Sequence, residues 1–335
     1  MYTFKELSEK VSQFFATEHF TGSPKNLYDP IDYTLADGGK RIRPILLLAA
    51  TDLFGGDIET ARYAAIGIET FHNFTLLHDD LMDQSPLRRG KPTVYRKWSP
   101  NTAILSGDAM NILAWRYFLK TPHPRLHEIL CIFEKTSMEI CEGQQYDMDF
   151  EQRNDVSIDE YMEMIRLKTA VLLGCALQIG AIYANANQHD IDLIYNFGIQ
   201  MGLAFQLRDD LLDAYGDVST FGKQTGTDIA DNKKTYLLLC ALQKAHNAQR
   251  SRLQELFSQH PTPYTLHPTP YTLHPTPKIQ EVLAIYDQLE IRHDVEQEIA
   301  ILTNKALASL DQISVQNERK NTLLEIANKL LDRKI

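Results

Sequence analysis

Long stretches of the chain repeat apolar residues at helical spacing with few breakers between them. From Ile158 to Ile182 (IDEYMEMIRLKTAVLLGCALQIGAI) the pattern starts amphipathic and becomes almost wholly apolar, as a buried helix would. The stretch from Asp190 to Tyr215 resembles it. No glycine follows Gly226, and only eight of the fourteen prolines lie outside residues 261–277. Helices run uninterrupted where such breakers are rare. No run of short alternating strands with Asn-Gly or Asp-Gly turns is present. The pattern predicts an all-α fold.

One segment breaks the helical pattern. Residues 260–277 read HPTPYTL HPTPYTL HPTP, a tandem seven-residue repeat with a truncated third copy. Proline this frequent forbids helix and pushes the preceding residues toward extended geometry. The segment reads as a surface insertion between helices, grown by duplication. A proline-rich docking motif is the alternative, weakened by the lack of flanking basic residues. It is not a domain boundary, because the helical pattern resumes at Ile279.

The 335 residues suffice to bury a large core. The formal net charge of −10 argues against nucleic acid or an anionic membrane surface as partner. Local basic clusters still permit an anionic substrate. No stretch approaches the uninterrupted apolar length that spans a bilayer, so no transmembrane segment is expected. The amphipathic, charged start MYTFKELSEKVSQFF lacks the features of a secretory signal. Cys131, Cys141, Cys175 and Cys240 are scattered and form no CxxC pair. They indicate neither a zinc site nor a disulfide framework, and a reduced cytoplasmic setting is the expectation.

Candidate chemistry lies in two near-identical pentapeptides, Asp79-Asp80-Leu81-Met82-Asp83 and Asp209-Asp210-Leu211-Leu212-Asp213, each after a mostly apolar helical run. On a helix, first and fifth residues share a face, so Asp79 pairs with Asp83 and Asp209 with Asp213. Like charges at this spacing cost about a few tenths of a kcal/mol each, and burying them unpaired costs far more. Two such clusters imply a cation to hold. Hard oxygen ligands suit magnesium, which bridges one or two carboxylates to substrate phosphates. A solvated helix end is the plainer reading of either cluster alone.

Basic residues accompany both clusters. Gly38-Gly39-Lys40-Arg41-Ile42-Arg43-Pro44 sets three cations in four residues at a predicted helix start. Cations there oppose the helix dipole unless an anion lies between them and the amides. Arg88-Arg89-Gly90-Lys91-Pro92 follows the first cluster, and Lys223, Gly226-Thr227-Asp228, Lys233 and Lys234 follow the second. Arginine forks bind phosphate bidentately. Lys168 and Thr169 sit in an apolar run, where a lysine more often snorkels to the surface than serves a ligand.

At this point the chain resembles the trans-isoprenyl diphosphate synthase (polyprenyl synthetase) family. GGKRIRP, LLHDDLMD, RRGKPT, LKTA, FQLRDDLLD and GKQTGTD with a downstream NKKT stand in the family's order, and the match covers nearly the whole chain. The resemblance implies one domain over residues 1–335, a bundle of long helices around a central cavity, usually a homodimer. It implies that Lys40, Arg43, His72 and Arg89 hold the diphosphate of isopentenyl diphosphate. Arg88, Lys168, Thr169, Gln206, Lys223 and Lys233 would contact the allylic diphosphate or its metals. Asp79, Asp83 and Asp209 would ligate three magnesium ions (Mg2+), with Asp80 and Asp213 in support. The two sets of acids would then face each other across a cleft. His72 lies seven residues before Asp79, on the same helical face. A lone histidine on an apolar helix is more often a core residue, so the family match carries that assignment.

The implied reaction is ionisation, condensation and elimination in a dry apolar cavity. No side chain stands out as general base; by resemblance the departing diphosphate takes that role. In the family, bulk before the first acidic cluster sets product length. Phe74 is five residues before Asp79, roughly 7.5 Å along a helix, and Phe71 lies a turn further back. Thr75 replaces the second aromatic residue of animal-type farnesyl enzymes, and the two-residue insertion of bacterial ones is absent. A C20 product is expected, with C15 next. Head-to-head synthases and terpene cyclases are the rival class, but they usually lack the GGKRxRP cluster. A non-catalytic regulatory subunit typically lacks one aspartate motif, and both are intact here.

Overall fold

The computed structural model describes residues 1–36, 39–121, 123–216, 225–258 and 276–331. Among these the chain is helical apart from one two-residue antiparallel pair, β1 (Leu87–Arg88) with β2 (Lys91–Pro92). The all-α expectation holds. The tandem repeat lies outside the described residues up to residue 275. Thr276 caps the next helix, Pro277–Gln288, whose first residue is proline.

The chain forms two compact units. One comprises residues 1–135, 172–195 and 312–326. It contains α1 (Phe4–Ala16), α2 (Lys25–Ala36), α3 (Ile42–Leu53), α4 (Arg62–Met82), α5 (Val94–Lys97) and α6 (Pro100–Leu119). The apolar run of α3 is buried from Pro44 to Thr51, and α4 packs against α3 and α6. At the end of α3, Arg319 donates to the carbonyls of Leu53 and Asp52. A cation there satisfies orphan carbonyls and opposes the negative end of the helix dipole. This anchors the helix whose start carries the GGKRIRP cations.

The second unit comprises residues 136–171, 196–311 and those from Ala327 onward. It holds most of α7 (Leu126–Glu151) and of α10 (Gln188–Tyr215), with α8 (Ile158–Ile165). The sequence predicts one helix from Ile158 to Ile182. Instead α8 leads into a π-helical turn, Arg166–Ala170, before α9 (Val171–Tyr183). The wider turn holds Lys168 and Thr169, and such turns recur at functional sites. Two glycines crowd it. A Cβ on Gly143 of α7 would lie 2.4 Å from the Lys168 amide nitrogen, and one on Gly202 of α10 would lie 2.5 Å from Ala170 Cα.

Ile158–Tyr183 is long and apolar enough, by length and composition, to cross a membrane, although charges at Arg166 and Lys168 interrupt it. Its most apolar window is 78% buried within the protein, as in a core helix. Because the clashes at Gly143 are with backbone, Gly143→Ala has no cheap relaxation. We expect it to lower stability by about 1–3 kcal/mol and to reduce activity by displacing Lys168, read by thermal denaturation and turnover. Unchanged melting and turnover would mean that the π turn is not held by this contact.

Candidate active site

The first acidic cluster ends α4. Asp83 caps the helix, and its N–H donates to the Asp79 carbonyl at 2.8 Å, keeping the two residues one turn apart. Asp79 is half-buried and Asp83 exposed, whereas Asp80 is 5% exposed. Asp80 is held by Arg88, whose Nε donates to its two oxygens at 2.8 and 2.9 Å. Burial pushes the Asp80 carboxyl up, and Arg88 opposes the rise. The hairpin explains how Arg88 reaches back. Between β1 and β2 only Arg89 and Gly90 remain, both at positive φ (51° and 76°), as a tight two-residue turn requires.

The same turn carries Arg89 to the GGKRIRP segment. A Cβ on Gly39 would lie 2.5 Å from Arg89 Nη2, and its φ of 46° further favours glycine where the guanidinium approaches. Lys40 is exposed, and Arg41 caps α3 in the left-handed conformation. Arg43 Nη1 lies 3.0 Å from His72 Nε2. Arginine is always a donor, so Nε2 accepts and the neutral ring carries its proton on Nδ1. Burial and then Arg43 push His72 well below its ordinary value, so the ring is neutral. Burial also lowers Arg43 to about 10. A shallow cleft beside this group is lined by Asn73, Asp80, Arg88, Arg89 and Lys91, among others.

Behind the cluster, Phe71 is 1% exposed and packs against Phe74 and Phe133, with ring centroids at 5.3 and 5.0 Å. Trp115 and Phe118 extend this aromatic group through Phe133. Thr75 donates to the His72 carbonyl. The Phe74 and Phe71 rings lie one and two turns before Asp79 on α4.

The second cluster lies inside α10. Asp209 is half-buried, Asp210 is 5% exposed and Asp213 9% exposed. The Tyr161 hydroxyl and Gln206 Nε2 both donate to Asp210. Asp213 is engaged by residues 226–228: the Thr227 hydroxyl donates to it at 2.6 Å, and the Thr227 and Asp228 amides at 3.2 and 3.0 Å. Those amides open the short helix Thr227–Ala230, where an acid is favoured. Lys233 lies 3.8 Å from Asp228. Thr169 donates to Gln206 Oε1 at 3.1 Å, so Gln206 bridges the π turn to Asp210. Lys168 Nζ is 2.6 Å from Asp147, so the lysine is paired rather than simply snorkelling. Lys223 lies outside the described residues.

The structure thus brings Lys40, Arg43, His72, Asp79, Asp80, Asp83, Arg88 and Arg89 together within the first unit. Lys168, Thr169, Gln206, Asp209, Asp213 and Lys233 belong to the second. Sequence reasoning missed Glu69, Asp147 and Tyr161. Glu69, His72, Asn73 and Asp80 share one face of α4, but Thr70, Thr75 and His78 are polar as well, so the pattern alone does not single Glu69 out.

Among the described residues no three His, Cys, Asp or Glu side chains form a metal cage by themselves. The donors fit magnesium nonetheless. Asp79 and Asp83 at the end of α4, and Asp209 in α10, supply hard oxygen donors; Asp79 and Asp209 are half-buried and Asp83 is exposed. Magnesium takes one or two such carboxylates and completes its shell with water and phosphate.

Comparison with known proteins decides the family. The polyprenyl synthetase family model matches residues 24–266. The chain belongs to the polyprenyl synthetase family. The geranylfarnesyl diphosphate synthase of Natronomonas pharaonis is 41% identical over 254 residues, 70% of this chain and 74% of that protein. A crystal structure of a geranylgeranyl pyrophosphate synthase is 43% identical, covers 100% of both chains and superposes with a TM-score of 0.92. Geranylgeranyl pyrophosphate synthase from Corynebacterium glutamicum, complexed with isoprenyl diphosphate and magnesium, is 26% identical with a TM-score of 0.84 over 99% of this chain and 98% of its own. This polyprenyl synthetase is accordingly a prenyltransferase of isoprenoid biosynthesis.

One pH effect follows from Asp210. Burial raises its carboxyl from 3.8 to about 6, against Tyr161 and Gln206, which lower it. The folded state therefore binds the proton more tightly than the unfolded chain. We expect this group's contribution to stability to be fully present below about pH 3.8 and to be lost as pH rises through about 6. Denaturant titration of the wild type and Asp210→Asn across that range reads it; an identical pH slope in both would contradict the assignment.

Proposed function

We propose that this prenyltransferase condenses isopentenyl diphosphate head-to-tail with an allylic diphosphate and releases diphosphate, giving a short-chain all-trans product. The observation that carries this reading is the pair of acidic clusters in which the second aspartate is locked by protein donors. Asp79, Asp83 and Asp209 stand beside those locked acids as the carboxylates that would take divalent ions. Three magnesium ions would be held there, with Asp80 and Asp213 in support. Bound magnesium supplies charge stabilisation for the leaving diphosphate.

The chain's own residues do the rest. Lys40, Arg43, Arg89 and the Nδ1–H of His72 bind the diphosphate of isopentenyl diphosphate. Arg88, Lys168, Thr169, Gln206, Lys223 and Lys233 orient the allylic diphosphate. Arg88 and Gln206 act partly through the aspartates they hold. An apolar cavity, as the family resemblance implies, would keep water from the developing cation.

Both acidic clusters serve one reaction, and residues 1–335 act as a single domain; the family match from 24 to 266 runs through both compact units. The aromatic group at Phe71 and Phe74 floors the product site and favours C20, with C15 next. On α6, Leu105, Ile112 and Leu119 are 60%, 63% and 59% exposed at seven-residue spacing, one apolar stripe along the helix. The stripe suits a homodimer. A cytoplasmic setting completes the reading.

The test incubates the enzyme with isopentenyl diphosphate and dimethylallyl, geranyl or farnesyl diphosphate, then sizes the products. We expect C20 as the main product, activity abolished by EDTA, and chains no longer than C25. Longer chains would overturn the floor argument, and activity in EDTA would overturn the metal reading. Phe74→Ala should lengthen the product by one or more C5 units; an unchanged distribution would place the floor elsewhere. Ile112→Glu should shift the mass measured by light scattering toward the monomer, and an unaltered dimer would clear the stripe of this role.

A further inference from the structure

One buried acid has no part in the chemistry above. Glu69 of α4 is 3% exposed; its Oε1 accepts from Asn73 at 3.2 Å, and its Oε2 is buried without a hydrogen-bond partner. Arg43 Nε is likewise buried and unpartnered. The charged groups facing Glu69 are Arg43 and Arg41 from the start of α3 and Arg89 from the hairpin, with the Asn73 amide on its own helix. Burial raises the Glu69 carboxyl to about 6, and the three arginines pull it back. A buried carboxylate with an unsatisfied oxygen is costly. Arg43, held 3.0 Å from His72 one helical turn along α4 from Glu69, supplies the largest opposing charge.

Two of those cations, Arg43 and Arg89, are the ones assigned above to isopentenyl diphosphate, and the inference rests on that assignment. A diphosphate placed on them meets Glu69 as a like charge across the same guanidinium groups. The hydrogen bonds of Glu69 run to Asn73, so its influence on Arg43 is exerted through charge. The reaction gives this opposition a purpose. The new bond joins C4 of isopentenyl diphosphate to the allylic C1 as the allylic C1–O bond breaks. The allylic diphosphate leaves with the electron pair, and a proton is lost from C2 of the isopentenyl unit. The isopentenyl diphosphate group is not cleaved; it becomes the diphosphate of the product. Every turnover therefore ends with a diphosphate on Arg43, His72 and Arg89 that must leave.

We propose that Glu69 is a fixed counter-charge that limits how tightly this cation cluster holds a diphosphate, so that the product departs. It acts through Arg43 and Arg89 rather than on the substrate.

The experiment compares full-length wild type, Glu69→Gln and Glu69→Asp above pH 7, where the carboxylate is ionised. Isopentenyl diphosphate binding is measured by calorimetry in the presence of magnesium, with steady-state kinetics alongside. We expect Glu69→Gln to tighten isopentenyl diphosphate binding about three- to tenfold and to lower kcat, leaving the KM for the allylic substrate unchanged. Glu69→Asp, which keeps the charge, should stay near the wild type. Inorganic diphosphate should raise the melting temperature of Glu69→Gln more than that of the wild type. Weaker binding in Glu69→Gln with rescue by Glu69→Asp would overturn the proposal in favour of simple orientation of Arg43. Unchanged affinity and kcat would overturn it in favour of a purely structural role. A wild type that fails to bind isopentenyl diphosphate would overturn the assignment of Arg43, His72 and Arg89 itself.

Discussion

An aspartate buried at the end of an apolar helix must be satisfied by donors, and this requirement organises both acidic clusters. Asp80 is met by the fork of Arg88, and Asp210 by Tyr161 and Gln206. In each case the donor is delivered by a separate local device. A two-residue turn through Arg89 and Gly90 folds Arg88 back. The capped helix α8 sets Tyr161, and α10 itself supplies Gln206. Once the second aspartate is fixed, the helix dictates where its neighbours stand. The clusters are not equivalent, however. Asp83 is an exposed helix cap, whereas Asp213 is enclosed by the amides and hydroxyl of 227–228. Near-identical sequence patterns thus place their last aspartates in different settings.

Missing side chains do much of the remaining positioning. Gly39 admits the Arg89 guanidinium, which joins two basic segments fifty residues apart in sequence. Gly143 and Gly202 admit the widened turn that carries Lys168 and Thr169. From that turn, hydrogen bonds pass through Thr169 to Gln206 and on to Asp210. A lysine set on a regular α-helix would point elsewhere, so the extra turn geometry and the Lys168–Asp147 pair belong to one device.

The helical class and the two clusters were legible because their signals are local: 3.6-residue periodicity, few breakers, and acids at fixed spacing. The companion cations were legible through motif order. The π turn was not, because Arg166–Ala170 keeps the composition of its flanking helices, and its cause lies on α7 and α10. Glu69 was overlooked because one glutamate in GIETFHNF reads as a surface residue until burial is known. Lys223 and most of the tandem repeat fall outside the described residues.

The most direct test of the central claim is calorimetric binding of a non-ionisable allylic thiolodiphosphate, with and without magnesium, to the wild type, Asp79→Asn and Asp209→Asn. The account predicts tight, magnesium-dependent binding to the wild type that either single substitution abolishes. Equal affinity in EDTA, or full binding by either variant, would contradict it.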